Sequence, residues 1–173
     1  MKNKQYLFRW VLYFLELVLL YVFSQMTIFP SVFGRKPNLL VALLTTVAIF
    51  ETGEVVACFS MFAGFLIDVS LGVFVGVNAS ILCLISYILG TFSAHYLQKN
   101  FLSYLVVSTI FITVFYNLQF LFFYVLRGYD EIFYAYSIHY LPPMIVTWFV
   151  SLLFYLVNKI LTLPFQRKYL NFT

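Results

Sequence analysis

The stretch MFAGFLIDVSLGVFVGVN, residues 61–78, sets one carboxylate, Asp68, inside an otherwise oily run. Gly64 lies four residues before it, and Gly72 and Gly76 lie four and eight after. The surroundings decide how that run is read. Of 173 residues, 64% are hydrophobic, 22% aromatic and only 9% charged. A soluble domain carries roughly 25% charged residues, and so few polar side chains cannot cover a water-facing surface. The chain reads as an all-α membrane protein. Apolar runs this long must satisfy their backbone groups internally, which makes them helices.

Working outward from Asp68, six apolar segments emerge, at about 7–29, 37–50, 55–71, 76–97, 101–126 and 143–163. Together they predict one six-helix bundle over residues 1–173, with no second domain. Pro30 and Pro164 are expected to end the first and last helices, and Pro37 and Pro143 to open the second and sixth. The second segment is short. About 14 residues rise only about 21 Å, against a roughly 30 Å hydrocarbon core. It is therefore either a short spanning helix or half of a re-entrant hairpin with the third. The basic start MKNKQYLFRW leads into a long apolar run without a small-residue cleavage site, so it is expected to remain as the first helix.

Charge orients the bundle. With an inner N-terminus, Lys2, Lys4, Arg9, Lys99, Lys159, Arg167 and Lys168 fall inside, and Arg35, Lys36 and Arg127 outside. Seven against three predicts both termini in the cytoplasm. The net charge of +4 is accounted for in this way, without nucleic acid. The longest connection, RGYDEIFYAYSIHYLPP at 127–143, is rich in aromatics and suits the outer membrane–water interface.

Small residues mark close helix contacts. Ser60, Gly64, Asp68, Gly72 and Gly76 recur at spacing four, and Ala79, Cys83, Ser86, Gly90 and Ala94 at three to four. Such rows let backbones approach where no hydrophobic drive exists. The two rows either pack on each other or dock a partner helix. Asp68 is read as a helix-end acid bonded to Asn78 or nearby backbone, or as an acid used in a partner contact. An Asp68→Asn change keeps one acceptor and is expected to fold. Glu16 lies about 14 Å into the first helix, with Asn117 and Gln119 as its candidate partners.

Reactive chemistry is sparse. Of the two aspartates, Asp130 lies in a loop, which argues against a facing carboxylate pair. His95 and His139 are expected at opposite faces. Cys58 and Cys83 read as small buried hydrophobes. Neither an enzyme, a metal nor a cofactor is expected.

The motifs carry a family resemblance. KPNLL, with Lys36, Pro37 and Asn38, is followed by Gly64, Asp68, Gly72 and Gly76 and then by ISYILG at 85–90. This pattern resembles the MreD family of bacterial inner-membrane rod-shape-determining proteins. The resemblance implies a scaffold that binds MreC-type partners, the MreB filament and a peptidoglycan glycosyltransferase/transpeptidase pair. It also implies a fold similar to the substrate-binding subunits of energy-coupling-factor transporters. Pro37, Asn38, Ser60, Gly64, Asp68, Gly72, Gly76 and Gly90 are the candidate packing or partner-contact residues. The alternative is a vitamin-binding transporter subunit. Against it, residues 6–29 lack the alanine and glycine that such a subunit's coupling helix uses.

Overall fold

A computed structural model describes residues 2–26, 36–72, 75–97, 100–128 and 131–170, with side chains placed from Trp10 to Ile160 within those ranges. Helices α1 (Lys2–Gln25), α2 (Leu39–Phe50), α3 (Gly53–Leu71), α4 (Val77–Tyr96) and α5 (Phe101–Phe123) come first. A 3-10 turn (Val125–Arg127), a short α6 (Ile132–Ala135), a π-helical turn (Tyr136–Tyr140) and α7 (Leu141–Leu170) complete the chain. Among the described residues no strand occurs. Four stretches there are long and apolar enough to cross a membrane: Gly53–Leu71, Val77–Tyr96, Phe101–Arg127 and Ile132–Ile160.

The polarity of the bundle is that of a protein in lipid. Large apolar side chains such as Leu84, Ile88, Leu102 and Leu153 face outward. Thr45, Ser60, Asp68, Asn78, Ser86, Thr147, Ser151 and Asn158 are buried. With hydrocarbon outside, apolar surface need not be hidden, and polar groups gather between helices where they find partners.

The short second segment is the axis of the bundle. All twelve residues of α2 are buried, and it touches α1, α3, α4, α5 and α7. Its length of about 18 Å does not have to match the bilayer, because protein surrounds it. Neither a lipid-facing span nor a bare re-entrant hairpin describes it. LLVALLTTVAIF is apolar on every side because every side meets another helix. Around it, Leu17, Leu43, Leu44, Val47, Leu82 and Phe111 form the main core. A second cluster joins the end of α2 to α5 and α7, with Tyr104 and Tyr155 stacked at 4.3 Å.

Several boundaries differ from those expected. The third helix begins at Gly53, and the first ends at Gln25, while Phe29 and Pro30 lie outside the described residues. The connection at 127–143 is largely helical, with Gly128 (φ 70°) and Glu131 (φ 59°) at its turns. Phe133 and Tyr134 on it face outward. Pro143 does not open the last helix: helix runs unbroken from Ile132 through the π-helical turn into α7, and Pro142 and Pro143 lie within it, where membrane helices tolerate proline. Pro164 does not end that helix, which runs on to Leu170. A proline forfeits one backbone donor but is tolerated inside a membrane helix.

Candidate functional site

The seam between α3 and α4 brings most of the candidate residues together. The two helices pack antiparallel along their length, from Gly53 beside Thr91 to Gly64 beside Ala79. Gly72 closes α3 in the left-handed region (φ 62°), and Gly76 opens α4 at φ 106°. Among the described residues a Cβ would meet nothing within 4 Å at either glycine, while both take up positive φ, so the turn uses their backbone freedom.

Asp68 is fully buried beneath this turn. One carboxylate oxygen, Oδ2, accepts from the backbone N–H of Gly76 at 2.7 Å and of Ala79 at 3.4 Å. The other, Oδ1, accepts from the backbone N–H of Asn78 at 3.1 Å and from its Nδ2 at 2.8 Å. The first N–H groups of a helix have no partner within it, and its dipole favours negative charge there. Asp68 in α3 therefore caps α4. Asn78 passes the link on, since its Oδ1 accepts from Gln119 Nε2 of α5 at 3.2 Å. One carboxylate thus ties three helices at one end of the bundle.

Below the cap the small residues are in contact. A Cβ on Gly64 would stand 2.7 Å from the backbone nitrogen of Ala79. Ser86 Oγ donates to Ser60 Oγ at 2.5 Å, and both residues are fully buried. A Cβ on Gly90 would stand 2.9 Å from Gly53 Cα. Ser60, Gly64 and Gly90 therefore face the partner helix inside the seam. Ala94 is exposed. Gly53 escaped the sequence reading, although a Cβ there would lie 2.7 Å from Thr91 N. Its place beside Glu54, past the end of an apolar run, looked like a loop.

Pro37 and Asn38 lie at the same end as the cap but on α2. Pro37 is buried, and Asn38 accepts from Val41 N at 3.3 Å as the N-cap of α2. The Asn38 N–H donates to Thr147 Oγ1 of α7 at 3.0 Å, and Thr147 also pairs with the Tyr116 hydroxyl of α5 at 3.0 Å. Sequence spacing gave no sign of Thr147, which lies 109 residues from Asn38.

Glu16 has a different partner from those expected. Its Oε1 accepts from Asn158 Nδ2 of α7 at 3.1 Å. Asn117 instead donates to Thr113 O of its own helix, and Gln119 belongs to the Asp68 group. Asn158, an amide inside an apolar helix, was the available signal. Cys58 is exposed, Cys83 half-buried, and both are free thiols. No cluster of three His, Cys, Asp or Glu side chains suited to a metal occurs among the described residues.

On its outward side the seam leaves a groove of about 700 Å³, lined by Met61, Phe62, Phe65, Val75, Cys83 and Leu84 among others. Ala79 and Gly76 form part of its floor. The small-residue row and the groove thus share a helix pair, and Ala79 and Cys83 belong to both.

The sequence model of one family, described as rod shape-determining protein MreD, matches residues 4–163 of the chain. No curated protein matches the sequence, and no solved structure matches the fold.

Proposed function

Because the chain belongs to the rod shape-determining MreD family, we propose that it is a membrane scaffold that docks an MreC-type partner and so supports lateral peptidoglycan synthesis. The proposed location is the bacterial inner membrane, with both termini in the cytoplasm, as the seven-to-three bias of basic residues suggests. The whole chain then forms one transmembrane domain. Likeness to the substrate-binding subunits of energy-coupling-factor transporters is part of the same proposal.

The observation that carries the reading is the groove on the α3–α4 seam. Its walls are apolar side chains, and its floor at Gly76 and Ala79 is small enough for another helix to come close. The backbones beneath are fixed by the Asp68 cap and the Gly64–Ala79 contact. A surface whose shape is held in advance loses less ordering entropy when a partner docks. Contacts of the MreB filament and of the glycosyltransferase/transpeptidase pair would be reached through the same assembly.

The test fills the groove without touching the cap. Cys83→Trp and Ser80→Trp occupy it from the α4 side. With an MreC-type partner co-expressed, both variants should accumulate in the membrane as the parent does, yet lose co-purification in mild detergent. Undiminished co-purification would remove the groove from the account.

A further inference from the structure

Glu16 stands within VLYFLELVLLYVF, residues 11–23 of α1, well inside an apolar run. It is half-buried, so part of its carboxyl surface opens out of the bundle. The open side belongs to the lipid-facing surface. Leu19, one turn further along the same face, is exposed, and so is Val157, next to Asn158 on α7. A carboxylate at such a depth is costly, and it pairs with other groups where it persists. Asp68 shows the contrast: it is fully buried, and four N–H donors of one helix end surround it.

The inner side of Glu16 is fixed. Its Oε1 accepts from Asn158 Nδ2 at 3.1 Å, and the same amide, buried in α7, donates to Phe154 O of its own helix at 3.2 Å. A carboxylate offers about four acceptor positions, so the bond to Asn158 leaves capacity on the outward side. Helix α1 packs mainly on α2 and α3, and long side chains make its link to α7. Phe14 lies two positions earlier, about 200° round the helix. Its ring stands 5.7 Å from that of Phe62, a wall of the α3–α4 groove. One side of α1 thus borders the groove, and the other carries Glu16.

We propose that the outward side of the α1–α7 boundary docks a second transmembrane helix, one that carries a lysine or arginine within its apolar span, with Glu16 accepting from that cation. Charge complementarity selects this occupant. An acid open to hydrocarbon and a base inserted in a bilayer are each costly alone, and side by side they offset one another. Asn158 sets the direction of the carboxyl in advance, so less ordering entropy is lost on docking. Leu15, Leu19 and Val157 supply apolar flanks for the rest of the helix. A helix held here leaves the α3–α4 groove open to its own partner.

The full-length protein is reconstituted in phosphatidylcholine vesicles with synthetic leucine-rich helices of about 20 residues. Two such helices differ only in a central lysine or leucine, and each carries a photoreactive leucine beside that position. Mass spectrometry maps the crosslinks. The lysine helix should crosslink to α1 or α7 near Glu16 and Asn158, about tenfold more than the leucine helix, the scale of one charge-assisted bond. That comparison, made in the parent, needs no variant. Glu16→Gln keeps an acceptor for Asn158, so it should unfold near the parent's temperature yet lose the preference for lysine. The Arg9 side chain lies outside those described, and Arg9→Gln controls for a cation supplied by the chain itself. It should capture the lysine helix as the parent does. Capture that appears only in Arg9→Gln, crosslinks confined to residues 61–84, equal capture of both helices by the parent, or an undiminished lysine preference in Glu16→Gln overturns the proposal.

Discussion

Replacing Asp68 separates membrane insertion from helix packing. Its carboxylate takes three short hydrogen bonds, at 2.7, 2.8 and 3.1 Å, and a longer one at 3.4 Å, all from α4. A hydrogen bond to a charged group contributes about 1.5–3 kcal/mol net, and donors sharing one acceptor do not add fully. Asp68→Leu therefore costs the bundle roughly 3–6 kcal/mol. At about 2–4 °C per kcal/mol for a chain of this size, unfolding should fall by roughly 6 °C or more. Insertion moves the other way, because leucine removes a carboxylate in the last turn of α3, where the cost is less than the roughly 2.5–3.5 kcal/mol of a helix centre. Asp68→Asn is not the mild change that one retained acceptor suggested. Both oxygens face N–H donors, so whichever way the amide turns, its NH2 group meets another donor. A loss of about 2–3 kcal/mol is expected. The assay is thermal unfolding in detergent followed by the fluorescence of Trp10 and Trp148, with membrane accumulation measured separately. Parent-like unfolding of both variants, with normal accumulation, would refute the three-helix tie.

Other expectations follow from the same seam. Gly64→Leu should lose roughly 1–3 kcal/mol or more by overpacking against Ala79. Gly53→Ala should also destabilise, because Thr91 N stands in the way, and melting of the two variants beside the parent checks both. Gly72→Ala meets no neighbour and should cost only about 1 kcal/mol, from its left-handed backbone. Unfolding temperatures in the order Gly72→Ala above Gly64→Leu distinguish turn strain from close packing. Between α1 and α7, Glu16→Gln keeps an acceptor for Asn158 and should melt near the parent, whereas Asn158→Leu strands the Glu16 carboxylate and should melt well below it.

Much of this architecture was legible in the sequence, and the exceptions have physical causes. Helices α3, α4 and α5 stand out because lipid-facing runs end at glycine or polar residues. Asp68 and Asn78 could be paired because ten residues across a glycine turn leave few alternatives. The core position of α2 could not be read, since an all-apolar helix looks the same whether lipid or protein surrounds it. Its twelve residues hinted at it only through length. Long-range pairs such as Glu16–Asn158, 142 residues apart, depend on which helices become neighbours, and periodicity does not specify that. Gly72 and Gly76 extended a spacing-four row in sequence, yet they serve the turn, because the helix ends between them and Asp68. The continuation of α7 past Pro164 likewise reflects tolerance that a proline signal alone does not reveal.

The central claim is that this bundle works through contact at the outward face of α3 and α4. Single cysteines at Met61, Phe65 and Leu84 in the groove, and at Ile110 and Leu153 on other lipid-facing surfaces, allow crosslinking to a co-expressed MreC-type protein in intact membranes. All five positions are exposed in the bundle. The account predicts crosslinks from the three groove positions and none from the other two. Crosslinks confined to Ile110 or Leu153, or equal from all five, would contradict it.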